Sequence, residues 1–142
     1  MANAAYTNFK AGILGADFDL VVASVKAMLV RGYSFTAAHV TVADVVSAGG
    51  TINGTSAALT NPVITGGVFD ADDTSIATTA NASNHVLVLA QTSAVGGGAD
   101  LPTSGQLLIA FYDTGTGLPI QPGTGTVTVT WSAGAAKILA VT

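Results

Sequence analysis

The chain has 142 residues, of which 49% are hydrophobic and only 8% charged; four Lys+Arg against eight Asp+Glu give a formal charge of −4. That length suits one domain spanning residues 1–142, since a single core organises roughly 100 to 200 residues, and the acidic balance leaves no basic face to neutralise phosphates, which disfavours nucleic acid and anionic membranes as partners. The absence of cysteine excludes a disulfide framework, a thiol nucleophile and a thiolate metal site.

An ordinary soluble protein carries about 25% charged residues, so this surface is unusually poor in charge and the expected partner is protein. Much of the apolar fraction is Ala and Val, with 17 Gly and 6% aromatics. Small side chains bury little area each. At about 25 cal/mol per Å² the core is thin unless contacts between subunits add to it, and low charge is how permanent interfaces look. No Lys or Arg precedes Lys10 and no apolar run approaches the roughly 18 residues of a membrane span, so neither a signal peptide nor a transmembrane helix is expected.

In chain order, residues 3–14 place Tyr6, Phe9, Ile13 and Leu14 at spacings of three and four, predicting a short helix with Lys10 outside and Gly15 as its stop. It is expected to lie across a sheet edge or reach a neighbouring subunit. Residues 20–30 are apolar on both alternating sets except at Ser24 and Lys26, which predicts a strand covered on both faces from near Ser24. Residues 31–36 read as a loop carrying Tyr33 and Phe35, and 39–46 as either a short strand or a helical turn. Residues 49–67 are rich in Gly, Thr, Ser and Asn, with strands at 57–59 and 63–65. Residues 68–73 end in an acidic turn, 74–78 form a strand carrying Ile76, and 85–91 form the most apolar strand.

Residues 95–105, with Gly96, Gly97, Gly98 and Pro102, suit an exposed, mobile hairpin loop. Residues 107–112 form another apolar strand, and 113–125 a Gly/Pro/Thr connection. Residues 127–131 alternate, burying Val127, Val129 and Trp131 and exposing Thr128 and Thr130. Residues 137–141 close the sheet. Many short strands and one helix predict an all-β fold, a single antiparallel β-sandwich, Ig-like or jelly-roll-like, with a short N-terminal helix.

Candidate chemistry is sparse. Phe111-Tyr112-Asp113-Thr114-Gly115 is similar to the Asp-Thr-Gly turn of aspartic proteases, in which two chains pair two carboxylates. The downstream apolar-apolar-Gly segment and glycine flap of that family have no match, and Asp-Thr-Gly after a strand is good turn chemistry. Asp70, Asp72 and Asp73 sit close enough to offer oxygens to a metal such as calcium; without the glycine and distal glutamate of an EF-hand loop they read as a solvated acidic turn. His39 and His85 have no ligand-spaced partner, no Ser sits in Gly-x-Ser-x-Gly, and Gly96-Gly97-Gly98 lacks the ending of a phosphate loop. Asn53-Gly54-Thr55 and Asn81-Ala82-Ser83 read as turns rather than glycosylation sites. No cofactor and no enzymatic activity are expected.

Residues 5–14, AYTNFKAGIL, followed by DFDL at 17–20 and VKAMLV at 25–30, resemble the opening of small proteins encoded in tailed-bacteriophage structural-gene clusters. So do VFDADD at 68–73, LIAFYD at 108–113, GLPI at 117–120 and VTVTW at 127–131. The likeness runs through nearly the whole chain in order and rests on fold-forming segments; Arg31-Gly32 and the glycine-rich 95–105 loop depart from it. The resemblance implies a virion structural protein, made in the bacterial cytoplasm. The role expected first is a decoration or cement protein on the capsid surface, which binds the major capsid protein and copies of itself. A tail, neck or baseplate component is the alternative, and a small adhesin or carbohydrate-binding module a third. The contacts expected for decoration are Tyr6, Phe9 and Ile13 from the helix, Tyr33 and Phe35, and Val95, Leu101 and Pro102 of the glycine-rich loop.

Overall fold

A computed structural model describes residues 3–135 and 137–140. Its strands are β1 (Ala4–Ala5), β2 (Val25–Arg31), β3 (Thr51–Thr55), β4 (Val63–Thr65), β5 (Val68–Asp70), β6 (Thr74–Thr78), β7 (His85–Gln91), β8 (Leu107–Tyr112), β9 (Gly125–Val129) and β10 (Leu139–Ala140); its helices are α1 (Thr7–Gly15) and α2 (Val42–Ser47). The fold is all-β and sandwich-like. A five-stranded antiparallel sheet in the order β1-β8-β7-β2-β3 faces two small sheets, β10-β5-β4 and β6-β9.

The central strands are apolar on both alternating sets because both sheet faces are covered. β2 and β7 pair without interruption from Val25 with Gln91 to Arg31 with His85. One face carries Ala27, Leu29, Leu87 and Leu89 against Phe69, Ile76 and Leu59 of the second layer. The other carries Met28, Val30, Val88 and Ala90 against Val42 and Val45 of α2 and against Tyr6 and Tyr33. A bulge in β8, where Leu89 faces Ala110 and Ala90 faces Leu108, leaves Ile109 as the extra residue. Ile109 and Ala110 therefore share one face, while Leu108 and Phe111 serve the other.

Several elements differ from the sequence expectation. The helix starts at Thr7, because residues 4–5 pair instead with Phe111 and Ala110 of β8. Tyr6 and Phe9 consequently part company, Tyr6 joining the α2 side of the sheet and Phe9 the opposite side, so the chain wraps the sheet edge. Residues 39–46 contain α2, closed by a capping box in which Asp44 Oδ2 accepts from the backbone N–H of Thr41 at 2.8 Å and of Val40 at 2.9 Å. The Gly/Asn-rich stretch holds β3 at 51–55, whereas 57–59 is not a strand: Ser56 and Leu59 donate to the carbonyls of Ala27 and Val25 as isolated links. β10 joins β5 rather than the main sheet, and Val141 lies outside the described residues. The half-buried Val127, Val129 and Trp131 and the exposed Thr128 and Thr130 follow the expected alternation.

Candidate contact surfaces

The residues that carry chemistry in other proteins are occupied here by packing and hydrogen bonds. Asp70, Asp72 and Asp73 do not converge. Asp70 pairs with Lys137 at 3.5 Å, Asp72 accepts from Thr60 Oγ1 at 3.2 Å and Asn61 Nδ2 at 2.6 Å, and Asp73 accepts from the Trp131 N–H at 2.9 Å. Among the described residues no group of three or more His, Cys, Asp or Glu is placed to share a metal. Asp113 follows the last residue of β8, and the Oδ1 of Asn3 accepts from the N–H groups of Asp113 and Thr114, which ties the Asp-Thr-Gly turn to residue 3.

The two histidines sit in separate structural networks. His85 is buried, its Nδ1 2.7 Å from the Ser83 carbonyl, which only accepts, so Nδ1 carries the proton. Its Nε2 faces Asn53 Nδ2 at 3.3 Å, the amide being oriented by the Thr79 N–H and hydroxyl on Asn53 Oδ1. Asn53 reaches this position because β3 bulges between Ile52 and Gly54; the expected turn at 53–55 is thus a strand irregularity with a load of hydrogen bonds. Asn81 does form a turn, accepting from Ser83 N–H at 2.9 Å. His39 stacks on Tyr33, and the Tyr33 hydroxyl links Tyr6 Oη at 3.1 Å to His39 Nδ1 at 2.9 Å. Burial pushes the phenol of Tyr6 well above the ordinary tyrosine value and raises that of Tyr33.

A cavity of about 580 Å³ lies between the main sheet and β9. Its floor is Leu29, Leu87, Ile120, Val127 and Val129. Three of the polar groups at its rim are engaged within the fold: Tyr112 Oη donates to the Ile138 carbonyl at 2.7 Å, Trp131 Nε1 to the Asp72 carbonyl at 3.1 Å, and Lys137 pairs with Asp70.

The expected contact residues divide sharply. Tyr6, Phe9 and Tyr33 are 0%, 1% and 6% exposed, so their rings are committed to the core and are unavailable to a partner. Phe9 packs from α1 onto one face of the protomer's own sheet and Tyr6, which precedes the helix, onto the other, so the spacing of three does not report a shared helical face. Phe35 is half-buried against Tyr6 and Phe111, with centroids at 5.0 and 5.3 Å. Ile13 and Leu101 are half-buried, whereas Val95 and Pro102 are exposed. The glycine-rich loop, expected to be mobile, is pinned at its base: Asp100 accepts from Lys26 and from Thr92 Oγ1, and the Leu101 N–H bonds the Thr92 carbonyl at 2.7 Å.

Among the described residues, two groups of exposed apolar side chains lie apart from Val40 and Val46. At the end of β2 and β7, Val21, Val22 and Val95 stand 45%, 61% and 53% exposed. Gly97 holds this tip together, because its α-carbon packs where a Cβ would lie 3.1 Å from the Val22 carbonyl oxygen at φ +94°. Beside α1, a groove of about 300 Å³ is lined by Phe9, Ile13, Phe18, Ile64, Phe69 and Leu139, and a second hollow continues past Ile13 and Leu139 to Lys10 and Leu14. Leu14 and Ile64, which line them, are exposed to solvent. Leu14, expected on the apolar side of the helix with Phe9 and Ile13, instead points into solvent beside Lys10; the exposure of Val21, Val22 and Ile64 follows from which residues the sheet covers, which no local pattern discloses. Comparison with family models, with curated proteins and with solved structures returns no match to this chain.

Proposed function

We propose that the chain is a non-enzymatic structural protein of a tailed-phage virion, a decoration or cement protein that attaches to the outside of the capsid and strengthens it. The observation that carries this reading is the exposed apolar tip of Val21, Val22 and Val95, held by the pinned glycine-rich loop, on a chain with only 8% charged residues. Water-exposed apolar clusters on a charge-poor surface suit burial against another protein. Val21, Val22 and Val95 supply the shell contact in this reading, with Pro102 and Leu101 beside them, in place of Tyr6, Phe9 and Tyr33.

A tail or neck ring that conducts DNA needs a charged lining, for which this chain has too few charges. A carbohydrate-binding module needs free aromatic faces, whereas Tyr6, Tyr33 and Phe35 pack on one another and on Phe111. The test is to mix the purified protein with the empty shell of its parent phage and weigh the particles by mass photometry. A stoichiometric gain in shell mass with higher heat resistance is expected. Failure to bind the shell, with assembly into rings or tubes instead, would contradict the decoration role.

A further inference from the structure

His85 is wholly buried at the start of β7, on the face that carries Leu87 and Leu89 against the second layer. It bonds to three segments at once. Its backbone exchanges both hydrogen bonds with Ile120, at 2.7 and 3.0 Å, its Nδ1 donates to the Ser83 carbonyl, and its Nε2 accepts from Asn53 Nδ2 of β3. The other Asn53 Nδ2 hydrogen goes to the Thr79 carbonyl at 2.9 Å, while Asn53 Oδ1 takes the Thr79 N–H and hydroxyl at 3.1 and 2.8 Å. Turning the amide over would set Oδ1 against the Thr79 carbonyl and the amide nitrogen against two donors, so Asn53 presents only a donor to His85.

A proton on Nε2 therefore sets N–H against N–H and buries a charge that has no acceptor. The neighbouring charges give no relief. β3, residues 74–84 and residues 118–123 contain no ionisable side chain. Arg31, opposite His85 on β2, is itself a cation, and Tyr112, opposite Leu87 on β8, has its hydroxyl committed to the Ile138 carbonyl. Asp113 follows beyond the end of β8, its N–H on Asn3 Oδ1. His85 forms no ion pair among the described residues.

We infer that His85 and Asn53 form an acid-sensitive clasp between the main sheet and the second layer: neutral His85 holds β3 to the Thr79 end of β6 and residues 118–123 to β7, and a proton on Nε2 opens it. Imidazole ordinarily changes charge between about pH 5 and 8. The closed clasp excludes a proton that the open one accepts, so the open form gains as pH falls, by at most about tenfold per pH unit for one proton. Leu87 and Ile120, on either side of the clasp, floor the cavity beside β9, so opening exposes apolar surface.

Amide hydrogen exchange of the full chain, followed by NMR and corrected for the intrinsic rate, reads the clasp at the Thr79 and Ile120 N–H groups. Between about pH 7.5 and 5.5 their opening is expected to rise about tenfold or more. The rise is expected to disappear in His85→Gln, to persist in His39→Gln, and to change sign in Asn53→Asp, whose carboxylate accepts from a charged imidazole. Opening independent of pH in the wild type, a rise that survives His85→Gln or is lost in His39→Gln, or an Asn53→Asp variant that still opens in acid overturns the inference. Where a variant fails to fold, the wild type decides alone: ¹⁵N shifts of a charged His85 imidazole at about pH 5.5, with Thr79 still protected, overturn it. The free chain is measured with no shell present, so neither result bears on the virion reading above.

Discussion

At the residue scale, Gly54 is a point of close approach between the two layers. A Cβ there would lie 2.3 Å from the Ala77 carbonyl oxygen and 2.6 Å from Ile76 Cγ2, both on β6. Neither can yield, since Ile76 is wholly buried and Ala77 pairs with Thr126 of β9. Gly54→Ala is expected to cost about 1–3 kcal/mol, read as a lower urea midpoint with unchanged slope. The tyrosines give a second test. Burial raises the phenols of Tyr6, Tyr33 and Tyr112 above the ordinary value. Because the folded value exceeds the unfolded one, the stabilisation is full below about pH 10 and is lost as pH rises through the folded values. Tyrosinate absorbance is therefore expected to appear together with loss of the β-sheet dichroism; an ordinary tyrosine titration on an intact fold would contradict these environments. Neither feature was legible in the sequence: Gly54 looked like part of a turn, and Tyr33 like a loop aromatic free for a partner.

At the element scale, the legible parts were those whose apolar pattern is local. β2, β7 and β8 are apolar on both faces: the sequence predicts β2 as a strand covered on both sides and β7 and β8 as strongly apolar strands, and it predicts the alternation of β9. β3 was hidden because its residues, TINGT, have weak strand propensity and take their pairing from β2 across a bulge. The start of α1 was misplaced because Ala4 and Ala5 suit a helix intrinsically and are drawn into β1 by the open edge of β8. α2 stayed ambiguous for want of length: it has six residues, and its capping box rather than its periodicity fixes it. Removing that box by Asp44→Ala is expected to cost about 1 kcal/mol at neutral pH. The backbone N–H groups of Thr41 and Val40 hold the Asp44 carboxyl below its ordinary value, so this stabilisation is present above the unfolded carboxylate value and disappears as pH falls through the folded one. Melting temperatures of the wild type and of Asp44→Ala should converge in acid; a constant gap at all pH values would show that the capping carboxylate is not the cause.

At the scale of the whole molecule, composition and fold class agreed: few charges, many small apolar residues and an all-β sandwich-like fold. Contact residues were legible only in part, because the large aromatics that sequence reasoning favours for binding are also the ones a thin core needs most. Tyr6, Phe9 and Tyr33 fill that need, which leaves smaller side chains, Leu14, Val21, Val22 and Val95, to face outward. The attachment reading thus rests on aliphatic residues. It is tested most directly by cosedimentation of the protein with the parent capsid shell, wild type beside a Val22→Asp, Val95→Asp double variant whose substituted side chains lie in solvent. Saturable binding of the wild type and its loss in a variant that still melts at the wild-type temperature is the expected result. Absence of wild-type binding, or equal binding by the variant, would contradict attachment through this tip.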